Sequence, residues 1–180
     1  METYEKMRPN PFSVMPDVDE TALVAMQQFL VSRKYKHVNT LTSEDAAYLA
    51  GFIDGEGTIT IARSRNCYTI RVLVTNTDLD VLEWIKKVVG KGSIRKTKKR
   101  YENWNDCYVW ALDTTYGGKE LLSQLLPYLK IKTTNAILCL GIPALFRGGC
   151  VAETKAKNKE LKQIQSDLFG LVRQKNRRGV

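Results

Sequence analysis

The 180-residue sequence is poor in the groups that most often do acid–base or nucleophilic chemistry: one histidine, His37, and four cysteines, Cys67, Cys107, Cys139 and Cys150, none at paired ligand spacing. A histidine-based triad or a zinc centre has almost no material, and the cysteines read as ordinary thiols. No apolar run reaches the roughly 18 residues of a membrane span, and the acidic start Met1-Glu2-Thr3 does not resemble a secretory signal. The expectation is a soluble, intracellular protein with no membrane partner, cytoplasmic or organellar if encoded in an organelle. Acid is also in short supply. Nineteen Asp and Glu against 28 Lys and Arg give a formal charge of +9, which points to a nucleic-acid partner and says nothing about fold. From Lys86 to Arg100 there are eight basic residues and no acidic one, more than solubility requires. That run reads as a rim for phosphate, which sets affinity and salt sensitivity rather than sequence preference.

What is present is concentrated in Leu49-Ala50-Gly51-Phe52-Ile53-Asp54-Gly55-Glu56-Gly57, an apolar helix of small residues that ends on a carboxylate among glycines. Thr42 and Asp45 are spaced as a capping pair for its start. Ala47, Gly51 and Gly55 lie four apart and share one face, flat enough for another backbone to approach closely. At the other end, unpaired carbonyls and partial negative charge favour a divalent cation, ligated by the Glu56 carboxylate and the Gly55 carbonyl. Mg²⁺ suits such a site, since it takes few carboxylates and completes its shell with water and phosphate oxygens. One carboxylate is too little for two-metal hydrolysis. The rest of the chain has no second acidic copy of the motif, because the similar stretch Leu138 to Gly149 carries no carboxylate.

The nine-residue run resembles, nearly position for position, the signature of the LAGLIDADG homing endonucleases, departing at Phe52, Gly55 and Glu56. A single copy implies the homodimeric branch, with Ala47, Gly51, Asp54 and Gly55 at the dimer interface and two Glu56 side chains meeting near a twofold axis. The resemblance further implies Mg²⁺-dependent cleavage of double-stranded DNA with short 3′ overhangs, with Mn²⁺ as a substitute metal and Ca²⁺ binding without supporting cleavage. Two more site residues follow from local match to the family alone. Asn76, in Val74-Thr75-Asn76, takes the place of a water-orienting amide, and Lys132, in Pro127-Tyr128-Leu129-Lys130-Ile131-Lys132, that of a lysine near the scissile phosphate. Read without the family, Asn76 is a cap or turn residue and Lys132 an exposed lysine at a helix start. Asp78 and Asp80 occupy the region where some members carry a further basic residue.

The chain divides into an N-terminal extension with one helix (1–41), a core (42–146) and a C-terminal helix with a basic tail (147–180). Pro9, Pro11 and Pro16 precede the first helix, which Asp17 and Glu20 cap and which either docks on the core or clamps DNA. In the core, Thr58 to Ala62 and Tyr68 to Val74 alternate with period two and form a hairpin, with Ser64-Arg65-Asn66 as the turn. Asp78 caps a helix that stops at Gly90 and Gly92. Strands are expected around Ser93 to Lys98 and from Asp106 to Asp113, then a helix containing Leu121, Leu122, Leu125 and Leu126, and a last core helix from Thr134 to about Phe146. The order is αββαββα, an α+β fold with all helices on one face of a four-stranded antiparallel sheet. The family uses such a sheet as a saddle in the DNA major groove.

On the saddle face the alternation places Thr58, Thr60 and Ser64, then Thr69 and Arg71, then Ser93, Arg95 and Thr97, with Asn66, Lys98, Lys99 and Arg100 in the adjoining turns. Ile59, Ile61, Ile70, Val72, Val74 and Ile94 face the core. Polar side chains on the saddle suit base edges, because only the major groove distinguishes all four base pairs, and Arg71 and Arg95 suit guanine. Tyr101, Trp104, Tyr108 and Trp110 read as core packing or thymine-methyl contacts rather than stacking platforms. With strands of about 8 residues rising roughly 3.3 Å each, a half-sheet covers about 8 base pairs, and a dimer a pseudopalindromic site of somewhat under 20. Two other activities are compatible with the same saddle: an RNA-binding maturase acting on its own intron RNA without cleavage, and a non-catalytic DNA-binding regulator.

Overall fold

The computed structural model describes residues 37–64, 67–99, 101, 103, 105–143 and 152–177. The chain divides into two units, residues 1–36 and 37–180, and the helix expected in the N-terminal extension lies outside the described residues, as do Asn66, Arg100 and Trp104. The elements run α1 (Ser43–Glu56), β1 (Gly57–Ser64), β2 (Cys67–Asn76), α2 (Leu79–Val89), β3 (Ser93–Lys96), β4 (Tyr108–Asp113), α3 (Thr115–Leu125), α4 (Thr133–Leu140) and α5 (Ala152–Lys175). The four strands form one antiparallel sheet in the order β1-β2-β4-β3.

Side-chain parity explains why the helices gather on one face. Ile59, Ile61, Ile70, Val72, Val74, Trp110 and Leu112 point to the same side and are buried, and burying branched and aromatic groups is the main favourable term in forming the sheet. Against them pack Leu49, Ala50 and Ile53 of α1, Leu82, Ile85 and Val89 of α2, and Leu121, Leu122 and Leu125 of α3. Ala136, Cys139 and Leu140 of α4 and Val172 of α5 extend the layer. Trp110 also satisfies its polar end, donating Nε1–H to the Lys91 carbonyl at 3.1 Å. Its burial bears out core packing for that aromatic, while Tyr101 remains exposed. Burial pushes the Cys139 thiol up to about 12, which fits an inert core sulfur.

Local signals account for the helix ends. Thr42 accepts the Asp45 N–H at 3.1 Å, and Asp78 accepts the Asp80 N–H at 2.9 Å, each satisfying an orphan donor of a first turn. Gly90 ends α2 in the left-handed region at φ 70°, where glycine carries no Cβ penalty.

Three details differ from the sequence reading. Ile94 is only half-buried, because β3 is a four-residue edge strand with no neighbouring strand on its outer side among the described residues. The helix expected from Thr134 to Phe146 ends at Leu140, where Gly141 breaks the apolar run. Residues 37–41, grouped by sequence with the extension, are hydrogen-bonded to the core. Leu41 N–H donates to Gln124 at 2.8 Å, Val38 N–H to Glu120 at 3.0 Å, and Asn39 N–H to the Val89 carbonyl at 2.9 Å.

Candidate cleavage centre and nucleic-acid interface

Glu56 is the last residue of α1 and is exposed. Strand β1 begins at the next residue, so the carboxylate sits where the helix layer meets the sheet edge. Gly57 makes that junction sharp. A Cβ at this position would lie 2.8 Å from the Ile53 Cα and 2.9 Å from its carbonyl oxygen, so only glycine lets the strand leave so close to the helix backbone. Because Gly57 pairs with Val74, Glu56 falls level with the end of β2, where Asn76 sits. The Asn76 Oδ1 accepts the Asp78 N–H at 2.9 Å. This is an Asx turn, the cap role that the residue suggests on its own, and it holds the side-chain amide in place at this edge.

Asp54, expected at the dimer interface with Ala47, Gly51 and Gly55, is buried at 9% exposure within its own chain, while those three are exposed. Its position on the helix is turned toward the core, and its carboxylate serves the chain's own backbone. Oδ2 accepts the Lys130 N–H at 2.6 Å and the Ile131 N–H at 3.1 Å, and Oδ1 accepts the Lys132 N–H at 2.9 Å. Burial works against the charge, and the three amides outweigh it, holding the Asp54 carboxyl below the usual range. These amides run into the N-terminus of α4, whose N-cap is Lys132, so a carboxylate there also suits the helix dipole.

The consequence reaches Lys132. With its backbone fixed on Asp54, its Nζ donates to the Asp54 main-chain carbonyl in the last turn of α1. Lys132 therefore stands at the same helix terminus that presents Glu56. Ile131, pinned between Lys130 and Lys132, is 76% exposed. The face bearing Ala47, Gly51 and Gly55 is open: a Cβ at Gly51 or Gly55 would meet nothing within 4 Å. Tyr48, 56% exposed, borders it and packs edge-on against Trp84 of α2 at 5.0 Å between ring centroids. Among the described residues no group of three or more His, Cys, Asp or Glu side chains could hold a metal ion. One chain thus offers Glu56 as a single exposed carboxylate donor at a carbonyl-rich helix end, which fits a hard cation only if other donors complete its shell.

The outer sheet face is built in rows of cross-strand partners. Thr58, Leu73, Ala111 and Ser93 form one row, Thr60, Arg71 and Asp113 a second, Thr75, Val109 and Arg95 a third, and Ala62 with Thr69 a fourth. The expected residues Thr58, Thr60, Thr69, Arg71, Ser93 and Arg95 share this face. The side chain of Ser64 lies outside the described residues. Thr97 is past the end of β3, half-buried, with its hydroxyl donated to the Cys107 carbonyl at 2.9 Å. Lys98 is exposed. Lys99 and Lys96 both pair with Asp106, and those hydrogen bonds hold the Asp106 carboxyl below and the Lys96 ammonium above their ordinary values. Sequence reasoning missed Asp113 and the apolar centre formed by Leu73, Val109 and Ala111. Continuing the period-two alternation from β3 into β4 would have exposed both.

Residues 49–135 match a family model described as LAGLIDADG endonuclease. No curated protein matches the sequence. The fold is similar to that of the homing endonuclease I-CvuI, crystallised with its target in the presence of Ca, at TM-score 0.55 and 22% identity over 75% of this chain and 83% of that one. It is similar too to the archaeal intron-encoded homing endonuclease I-Vdi141I complexed with DNA (TM-score 0.54, 19% identity, 75% and 86% of the chains). A third likeness is the group I intron-encoded homing endonuclease I-CeuI complexed with DNA (0.52, 16%, 88% and 76%). Signature helix, four-stranded antiparallel sheet and family model coincide over one segment, and over residues 49–135 the chain matches the LAGLIDADG endonuclease family.

Proposed function

We propose that the protein is a site-specific, double-stranded DNA endonuclease that works as a homodimer with a divalent metal, Mg²⁺ in the first instance, and leaves short 3′ overhangs. The observation that carries this reading is the end of α1: an exposed carboxylate, Glu56, beside an open small-residue face and at the rim of a polar-edged sheet. Two chains packed through Ala47, Gly51 and Gly55 would cover that face together with Tyr48 and Ile131, whose exposure a lone chain leaves unexplained. The twofold would bring two Glu56 carboxylates together at the scissile phosphates. The relatives' descriptions as DNA complexes, one with Ca and another with Mg, support both the substrate and the class of metal.

In this mechanism the Glu56 carboxylate of each chain and the Gly55 carbonyl would hold the metal, with DNA oxygens as the remaining donors. A divalent cation bound there would supply Lewis acidity for water and leaving oxygen. The Asn76 amide, fixed by its Asx turn, would orient the attacking water. Water adds at phosphorus and gives up a proton to solvent as the P–O3′ bond breaks, and the 3′ oxygen leaves and takes a proton from solvent. Lys132, held on the carbonyl of Asp54, offsets the negative charge that builds on the phosphate oxygens. Thr58, Thr60, Ser93 and Arg95 meet base edges, while Lys98 and its neighbours meet phosphate.

The test uses a plasmid carrying the uninterrupted insertion site. The expected result is metal-dependent linearisation, stopped by chelation and lowered at least about a hundredfold by Glu56→Gln with DNA binding retained. Full cleavage by Glu56→Gln would sink the mechanism. Binding without cutting by the unaltered chain would favour the maturase or regulator reading.

A further inference from the structure

The saddle face carries one acidic side chain in contact with one of its arginines. Arg71 and Asp113 are cross-strand partners, and the Arg71 Nε–H donates to Asp113 Oδ2 at 2.8 Å while Nη2–H donates to the same oxygen. Thr69, two residues along β2 and on the same face, donates its hydroxyl to the other carboxylate oxygen, Oδ1, at 3.4 Å. A carboxylate on a DNA-facing surface is unfavourable next to phosphates unless it serves some other group.

The geometry of the pair identifies that group. Guanidinium has five N–H donors in a rigid planar fork. Asp113 takes Nε–H and the Nη2–H on the Nε side, so the two parallel hydrogens on the outer Nη1/Nη2 edge are left for another acceptor. That edge is what reads guanine O6 and N7 in the major groove. An arginine on a flexible stem must otherwise give up rotamer freedom to make that contact.

We propose that Asp113 is a positioning residue for sequence recognition: it fixes the Arg71 fork so that guanine is read at one base pair of each half-site, with Thr69 bracing the carboxylate instead of touching a base. This rests on the reading of the saddle as a DNA-binding face. It reassigns Thr69 from base contact to support. It also makes a charge prediction, because removing Asp113 leaves an unbalanced cation on the saddle.

The experiment selects binding sites from a pool of randomised duplexes with the full-length chain, then repeats the selection with Asp113→Ala, Asp113→Asn, Thr69→Val and Arg71→Ala. The unaltered chain is expected to select guanine at one symmetry-related pair of positions. Arg71→Ala and Asp113→Ala should each lower that preference by about tenfold at the same pair and nowhere else, and the double variant no further. Asp113→Asn should retain part of the preference, since its oxygen still accepts Nε–H. Meanwhile the affinity of Asp113→Ala for unselected DNA should hold or rise, with a steeper salt dependence. A residue that merely supported the fold would lower affinity and preference together. If guanine survives Asp113→Ala, or if Asp113→Ala improves discrimination, Asp113 does not position Arg71. If the unaltered chain selects no sequence at all, the endonuclease reading fails first, and the assignment of Asp113 with it.

Discussion

Replacing Asp54 by asparagine separates a carboxylate that holds its own chain together from one that faces a partner. In the native arrangement Oδ2 accepts two amides and Oδ1 a third. Asparagine offers only one oxygen. With that oxygen turned toward Lys130 and Ile131, the new NH₂ confronts the Lys132 N–H; turned the other way, it confronts two amides. The smaller loss is one orphaned buried amide plus the charge assistance of the other two bonds, together about 2–4 kcal/mol. At roughly 2–4 °C per kcal/mol for a chain of this size, Asp54→Asn should lower Tm by about 5–15 °C at pH 7.

The sign with pH follows from the lowered carboxyl. A group whose folded pKa lies below its unfolded value, near 3.8, contributes fully above that value and loses its contribution as pH falls through the folded one. The gap between the unaltered and Asp54→Asn proteins should therefore be constant from neutral pH down to about 5 and narrow progressively below about 4. Thermal unfolding followed by circular dichroism across that range is the assay, repeated at several protein concentrations. A gap that is small at pH 7, that does not narrow as pH is taken below about 4, or that varies with concentration would refute the intrachain lock, the last by pointing to an interface.

Three further outcomes are expected. Gly51→Leu should leave the folded chain as stable as before or slightly more so, because its side chain enters open space and leucine favours helix, while sedimentation velocity shows the dimer lost; an unchanged dimer would remove α1 from the interface. Gly92→Ala should cost about 2–3 kcal/mol in denaturant unfolding, since φ is 101° and the new methyl would overlap the Trp110 indole nitrogen. Cys139, buried and with its thiol raised to about 12, should resist alkylation in the native protein, read by peptide mass spectrometry, and become modified only under unfolding conditions.

Much of the fold is legible because its signals are local. The parity of Thr58 to Ala62, the caps at Thr42 and Asp78, and the stop at Gly90 each act over a few residues. Edge effects are not local. Ile94 has the right parity for the core, and only the sheet order β1-β2-β4-β3 reveals that its strand lies at the margin. Among candidate site residues, Glu56 was legible from a nine-residue signature. Asn76 and Lys132 were legible only by analogy with the family, since a turn asparagine and a helix-start lysine carry no chemistry in their local pattern.

By itself the sequence determined the signature helix, the identity of its terminal carboxylate, the alternation that divides each strand into a core face and an outer face, and the basic balance that suits DNA. All of these depend on residue type and spacing along one segment. Tertiary structure decided which carboxylates are free to act. Asp54 and Glu56 are two residues apart on one helix, yet the first is turned inward onto the amides of Lys130 to Lys132, far along the chain, and the second is left open. Arg71 and Asp113 are likewise distant in sequence and meet because β2 and β4 are neighbours. A carboxylate's role is set by the donors that surround it, and in this protein those donors come from elsewhere in the chain.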